Sequence, residues 1–375
     1  MWTKKNGVLY YNTLNINYDS VAAFDLDNTI ITTKSKLKFP KNENDWVFID
    51  DIVSKINSLN NYLIVIFTNQ KGLEDKLGLD KFKQKIMNIK KSFTQDIWVF
   101  IALEGDHYRK PLTGMWDLLN NILDNKIHTK KSFYVGDAAG RKNDHSNSDL
   151  YFAHNIGIKF VIPEDFIKIK SEAFNNKIVK PEDFNNYTNS EIENYINLEN
   201  WFSSKKLKIK KDSSKSELIL LVGLPGCGKS TFAKKYYDSY TYINQDTDKT
   251  KEKSNKKLLA AIKKKENIII DNTNLDFDKR QEIIQLVNND EYIVKIIVFD
   301  IPFKVCYHMM YYRVNTLHVN PISIIVYRTL MKKYNILNNE NIHINIDEDV
   351  DVYRINKIYA TKKDIKTIIN YRFTL

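Results

Sequence analysis

Cysteine is almost absent from this sequence, with two residues, Cys227 and Cys306, in a chain of 375. Two scattered thiols make neither a disulfide framework nor a metal cage, and they suit a reducing compartment. Long apolar runs are missing as well. No stretch approaches the roughly 20 apolar residues needed to span a bilayer. The N-terminus carries charged residues without an apolar core of signal-peptide length. The expectation is a soluble intracellular protein, cytoplasmic or nuclear, with no membrane partner. No internal repeat is visible, so the length does not reflect duplication. What is plentiful is lysine, asparagine, isoleucine and tyrosine. An apolar fraction of 43% with 12% aromatics suffices for packed cores. At this length two domains are the natural arrangement. A net charge of +11 fits a phosphate-rich partner. Codon bias in an AT-rich genome produces the same composition, so the charge alone does not choose between these explanations.

The first half alternates short apolar runs with helical patterns. Ser20–Phe24 ends in Asp25-Leu26-Asp27, Tyr62–Phe67 in Thr68-Asn69-Gln70, and Ser132–Val135 in Gly136-Asp137, with Ile97–Ala102 as a further strand. Helix candidates lie between them at Ile49–Leu59, Leu79–Lys91 and Gly114–Leu123. Strands separated by helices imply βαβ units and a parallel sheet. Ligands of such sheets bind beyond the carboxyl ends of the strands, which gathers Asp25, Asp27, Thr68 and Asp137 around one crevice. After about Pro163 the pattern dissolves into charged and Asn-rich segments that close on the basic run Lys205–Lys211. It then restarts at Glu217–Val222, with a helix from about Lys229 to Tyr237 and strands at Tyr240–Asn244, Asn267–Ile270 and Tyr292–Asp300. The expected organisation is a first domain over 1–170, a connection over 171–212 and a second domain over 213–375. The fold class is α/β, each domain having a parallel sheet flanked by helices.

Asp25 and Asp27 are two carboxylates on alternate residues at a strand end. One carboxylate can attack phosphorus and split a difficult displacement into two easier ones. A second can protonate the leaving alkoxide and then activate water. A hard cation with oxygen ligands offsets repulsion between an anionic nucleophile and a dianionic substrate. A hydroxyl and a lysine can hold the phosphoryl oxygens.

Asp25–Thr29 resembles the first motif of the haloacid dehalogenase phosphatases. The stretches FDLDNTIITT (24–33), IFTNQKG (66–72), YRKPLTGMWD (108–117), YVGDAAGR (134–141) and DLYFAHNIG (149–157) resemble more closely the phosphatase domain of the polynucleotide kinase 3′-phosphatases. The similarity extends back to Trp2 and Gly7-Val8-Leu9. It implies a Rossmann-like phosphatase fold with Asp25 as nucleophile and Asp27 as general acid/base. It further implies that Thr68, Asn69 and Lys110 bind the transferring phosphoryl group. Asp25, Asp137 and the main-chain carbonyl of Asp27 would hold Mg²⁺, with Asp149 as a further metal group. Asp144 fits better as a loop acid. Asn28 stands where the family usually has glycine, and asparagine tolerates the left-handed backbone such a turn needs.

Gly223-Leu224-Pro225-Gly226-Cys227-Gly228-Lys229-Ser230 satisfies G-x-x-x-x-G-K-[ST], with an apolar run before it and a helix-competent run after. Its glycines let backbone N–H groups ring a phosphate at a helix N-terminus. Gly223, Pro225, Gly226, Cys227, Gly228, Lys229, Ser230 and Thr231 therefore form the expected ATP loop. Lys229 reaches the β- and γ-phosphates, and Ser230 ligates Mg²⁺. Cys227 reads as loop filler. The segments Asn244-Gln245-Asp246 and Ile270–Asn274 resemble the 5′-polynucleotide kinases, which implies Asp246 as general base and Asp271 as a metal-ordering group. The same resemblance places phosphate-clamping arginines in a lid, here Pro302–Arg328, where Arg313 is the expected clamp. Arg328 is also present, while Tyr307 and Tyr311 occupy positions where relatives often show arginine. His318 is expected to cap or pack. No GTPase-type DxxG or NKxD signature follows the P-loop.

The resulting expectation is a bifunctional end-healing enzyme that removes 3′-phosphates and phosphorylates 5′-hydroxyls with ATP. Its partners would be nucleic-acid ends, DNA ahead of RNA, and a ligase. The order of motifs is phosphatase first, without room for the N-terminal phosphopeptide-reading domain of some relatives, and the composition suits a large DNA virus or an AT-rich microbe. A small-molecule kinase–phosphatase and a 3′-phosphatase with an inactive, nucleic-acid-binding kinase module remain open at this point.

Overall fold

A computed structural model of the chain describes residues 1–13, 18–73, 76–124, 126–168, 197–205, 207, 214–288, 290–339 and 350–373. Most of the expected connection over 171–212, including most of Lys205–Lys211, lies outside the described residues. Contacts divide the chain into two compact units. The first takes the described residues within 1–195 together with Arg313–Pro321 and those of 370–374. The second takes those within 196–312 and 322–369. Among the described residues, no helix is long and apolar enough to cross a membrane.

The first unit is built on strands β1 (Trp2–Lys5), β2 (Val8–Tyr11), β3 (Val21–Phe24), β6 (Leu63–Asn69), β7 (Ile97–Ala102), β8 (Phe133–Val135) and β9 (Lys159–Val161), with β4 (Ile31–Thr32) and β5 (Val47–Phe48) forming a separate antiparallel ribbon. The sheet order is β1-β2-β7-β6-β3-β8-β9. From β7 to β9 every pairing is parallel, and β1 and β2 extend the β7 edge in antiparallel fashion. The central strands are apolar on both faces, as strands covered by helices on both sides must be. Alternation then sorts their side chains. Ala22, Phe24, Ile64, Ile66, Val99 and Ile101 join the core that includes Ile52 and Ile56 of α1 (Ile52–Asn57) and Phe82, Ile86 and Ile89 of α2 (Lys76–Lys90). Val21, Ala23, Val65, Phe67, Trp98 and Phe100 face the other way, onto α3 (Gly114–Ile122) and α4 (Ser148–Ile156). Complete burial of a large apolar side chain is worth about 1.5–3 kcal/mol, so these two layers dominate the stability of the unit.

Register aligns the chemistry. Phe24 pairs with Ile66 on one side and with Val135 on the other. Asp25, Thr68 and Asp137 therefore emerge at one level, where the connections leaving the neighbouring strands β3 and β8 run to opposite sides, toward β6 and β9.

The second unit carries a five-stranded, wholly parallel sheet in the order β12-β13-β11-β14-β15. Its strands are β11 (Ser216–Val222), β12 (Thr241–Ile243), β13 (Ile268–Asp271), β14 (Tyr292–Phe299) and β15 (Val350–Ile355), and a two-stranded parallel ribbon joins β10 (Phe202–Ser203) to β16 (Ile358–Tyr359). All but the first residue of β11 is buried. At its foot Glu217 is fully buried and takes both the Lys295 ammonium and the Tyr240 hydroxyl, which offsets the cost of enclosing the charge. The α/β class expected from the alternating pattern is the one observed in both units.

Candidate active sites

The first site is held by a lysine inside a ring of acids. Lys110 is buried, and its ammonium donates to Asp25 Oδ1 at 2.6 Å, Asp149 Oδ1 at 2.7 Å and the Tyr134 hydroxyl at 2.7 Å. Tyr134 in turn donates to Asp149 Oδ1 at 2.9 Å, and the Ala138 N–H donates to Asp149 Oδ2 at 3.0 Å. Asp149, 1% exposed in the first turn of α4, reaches the end of β8 only because Gly136 has no side chain. A Cβ there would sit 2.6 Å from the Asp149 carboxyl.

Asp25, Asp137 and Asp149 can each point one oxygen into a space where the three oxygens lie within 4.8 Å of one another. Burial pushes Asp25 well above the usual carboxylate range, with Lys110 opposing and Asp149, Asp137 and Asp27 adding to the rise. Burial, reinforced by Asp149, pushes Asp137 up to about 7. Burial alone would lower Lys110, but Asp149 and Asp25 raise it, so it stays charged. Three carboxylates crowded this way, with one lysine among them, form a donor set for a hard cation: oxygen ligands only, and mutual repulsion that such an ion removes. The site therefore fits a divalent metal.

Asp27 stands apart from this cluster. Its side chain is 48% exposed. The Gln70 amide donates to Asp27 Oδ2 at 2.7 Å and to the Thr68 hydroxyl at 3.0 Å, tying the strand-end hydroxyl to the second carboxylate. Asn28 takes φ +59°, the left-handed conformation expected of it. Asn69 is engaged with the main chain of Lys110, accepting its N–H at 2.9 Å and donating to its carbonyl at 3.1 Å. Those two bonds position the loop that delivers Lys110. Asp144 accepts from the Ala139 and Arg141 N–H groups and from the Arg141 guanidinium, all at 3.0 Å, and thus organises its own loop.

In the second unit the loop after β11 turns through Gly223, Gly226 and Gly228 at φ +156°, +84° and +98°. Gly226 also permits a close approach, since a Cβ would lie 2.2 Å from the Cys306 carbonyl oxygen. Lys229 opens the helix Lys229–Tyr236, followed by Ser230 and Thr231, both exposed. Its ammonium donates to the Gly223 and Leu224 carbonyls at 2.9 Å. Cys227 is fully buried and burial pushes its thiol up, as befits filler. Asp271, buried at the end of β13, accepts from the Tyr242 hydroxyl, which also bonds Ser230. Asn244 caps the short helix Gln245–Asp248 through the Thr247 N–H at 3.1 Å and donates to the Asp271 carbonyl. Those contacts fix the turn on which Asp246 stands exposed.

Comparison with known proteins finds relatives for both units. Residues 20–167 match the family model described as polynucleotide kinase 3 phosphatase, and residues 237–318 match an AAA domain model. A bifunctional polynucleotide phosphatase/kinase of Schizosaccharomyces pombe is 38% identical over 293 residues, covering 76% of this chain and 66% of the relative. A protein of Acanthamoeba polyphaga mimivirus named for the same two activities is 32% identical over 324 residues, 77% of this chain and 74% of its own. The chain belongs to the bifunctional polynucleotide phosphatase/kinase family. A polynucleotide 3′-phosphatase of Saccharomyces cerevisiae is 29% identical over 205 residues, 39% of this chain and 86% of its own.

The two units are thus a phosphatase unit and a kinase unit, and the latter implies use of a nucleotide. Tyr307 and Tyr311 build an aromatic cluster in the kinase unit. Tyr307 lies 4.9 Å from Tyr311, 5.4 Å from Tyr327 and 5.6 Å from Phe303 between ring centres, and Tyr327 donates to the Pro225 carbonyl of the loop. Arg313 is exposed, and its segment groups with the phosphatase unit rather than with the P-loop. His318 stacks on His107 with centres 4.3 Å apart, and burial and that neighbour lower His107 to about 4. Sequence reasoning missed Gln70, Tyr134 and Tyr242. Gln70 and Tyr134 lie inside the recognised stretches 66–72 and 134–141, so proximity was their available signal; Tyr242 is marked only by where its strand places it.

Proposed function

We propose that the chain heals nucleic-acid ends, removing a 3′-phosphate in the first unit and phosphorylating a 5′-hydroxyl with ATP in the second. The observation that carries the reading is Lys110 held at 2.6 Å from Asp25 and 2.7 Å from Asp149 beside Asp137, in one chain with a complete P-loop. Asp25 attacks phosphorus in line with the leaving O3′ and becomes an aspartyl-phosphate. Asp27, open to the crevice, gives its proton to O3′ and then takes one from the water that hydrolyses the intermediate. Lys110 and Thr68 hold phosphoryl oxygens while charge shifts among them. Asp25, Asp137 and Asp149 would hold Mg²⁺, with the Asp27 carbonyl as a further ligand, and that ion would neutralise the repulsion between phosphate dianion and nucleophile.

In the kinase unit the P-loop from Gly223 to Thr231 receives the ATP phosphates, and Lys229 exchanges its loop carbonyls for phosphate oxygens. Ser230 and Asp271 would hold the accompanying Mg²⁺, and Asp246 accepts the proton of the 5′-hydroxyl. The product pair, 3′-hydroxyl and 5′-phosphate, is what a ligase consumes.

The test assays 3′-phosphorylated and 5′-hydroxyl oligonucleotides, DNA and RNA, against Asp25→Asn and Asp246→Asn proteins. The expected result is selective loss of 3′-dephosphorylation in the first and of 5′-phosphorylation in the second. A mononucleotide turned over as fast as an oligonucleotide would shift the assignment to a small-molecule enzyme.

A further inference from the structure

We infer that Lys85 recognises the strand rather than the scissile phosphate, receiving the backbone phosphodiester that precedes the terminal nucleotide. The inference rests on the reading of the first unit as a polynucleotide 3′-phosphatase. Along α2 the inward seam is Leu79, Phe82, Ile86 and Ile89, all packed on the core. Lys85 interrupts that seam and is only 7% exposed. An enclosed ammonium is costly unless it is both paired and hydrogen-bonded. Lys110 meets that condition with three acceptors. Lys85 does not. Among the described residues its ammonium has one ion-pair partner, Asp27 Oδ1 at 3.7 Å, beyond hydrogen-bonding distance, and it lies 5.6 Å from the centre of the Phe82 ring.

The direction of the unused donors follows from the chemistry beside them. Asp27 protonates the leaving oxygen, so groups next to Asp27 face the departing strand, while Lys110 marks the side of the transferred phosphoryl. The first anion met along a departing strand is the phosphodiester on the 5′-oxygen of the terminal sugar. A charge-assisted hydrogen bond there completes the partners of Lys85 and would favour a polynucleotide over a mononucleotide.

The decisive quantity is the ratio of kcat/KM for a dinucleotide 3′-phosphate to that for a nucleoside 3′-phosphate. Lys85→Met keeps the stem against Phe82 and removes the charge. It should lower the ratio roughly 10- to 100-fold, through KM of the dinucleotide. Lys85→Arg should hold the ratio within a few-fold of wild type. An equal loss on both substrates would mean that Lys85 acts only through Asp27, and an unchanged ratio that it touches no strand; either overturns the proposal. Lys85→Gln serves the same comparison if the methionine variant does not fold, with the thermal melt of the phosphatase unit as the folding control. Wild-type protein that cleaves neither substrate would overturn the phosphatase reading itself. Wild-type protein that prefers the dinucleotide, with that preference kept in Lys85→Met, would overturn only the role of Lys85, whereas cleavage of both without preference would shift the first unit to a small-molecule phosphatase.

Discussion

Replacing Asp137 by asparagine should change the stability of the phosphatase unit in opposite directions with and without a divalent metal. Burial and Asp149 raise this carboxyl to about 7 from its ordinary 3.8. A raised carboxylate binds its proton more tightly in the folded state. Stability is therefore full below about pH 4, is lost as pH climbs toward 7 and stays reduced above that. The complete penalty is about 4 kcal/mol at 1.36 kcal/mol for each pH unit, and about half of that once Asp25 adjusts its own protonation. In a chelator at pH 8, Asp137→Asn should thus melt roughly 5–15 °C above wild type, the gain shrinking to nothing near pH 4. With Mg²⁺ the order reverses. Metal at about 1,000 times its Kd adds about 4.1 kcal/mol to the wild-type fold, more than the roughly 2 kcal/mol the variant gains without metal, and a variant short of one carboxylate ligand forfeits most of it. Calorimetric scans of both proteins from pH 4 to pH 8, with EDTA and with Mg²⁺, check this directly. A variant that melts below wild type in EDTA at pH 8, or a difference that ignores pH, would refute the reasoning.

Lys110→Met should lower phosphatase kcat roughly 10²- to 10³-fold, since it removes a preorganised donor, and should destabilise the unit by about 3 kcal/mol or more by leaving Asp25 and Asp149 without counter-charge; single-turnover kinetics and a thermal melt measure both. Lys229→Ala should abolish 5′-phosphorylation and leave 3′-dephosphorylation intact, and simultaneous loss of both activities would mean that the sites are coupled. Tyr242→Phe removes the hydroxyl shared by Asp271 and Ser230 and should reduce kinase kcat/KM for ATP about tenfold or more, with phosphatase kinetics as the internal control.

Much of this protein is legible one residue at a time. Strand ends announce themselves where apolar runs such as Val21–Phe24 and Ile268–Ile270 meet aspartate, because a parallel strand buried on both faces must be apolar until it leaves the sheet. The phosphate loop is equally local, since its glycines, lysine and serine lie within eight consecutive residues, Gly223 to Ser230. Asn28 belongs here too, its left-handed φ following from its short polar side chain.

Tertiary structure alone decided how those ends are used. Asp149 becomes part of the acidic triad because α4 packs against Gly136, a contact no spacing rule encodes. Asn69 turned out to hold the Lys110 main chain because β6 and the Lys110 loop meet across 41 residues. Tyr134 and Tyr242 look like ordinary strand residues until the folded neighbours supply Lys110 and Asp271 as partners. Lys85 reads as surface charge on a helix, and only the docking of α2 on the sheet turns it inward toward Asp27. Local sequence therefore determined the elements and the placing of Asp25 at a strand end, since periodicity and strand-end polarity act over a few residues. Partner choice, protonation and the strand-facing side were left to packing, because they depend on distances between residues far apart in the chain.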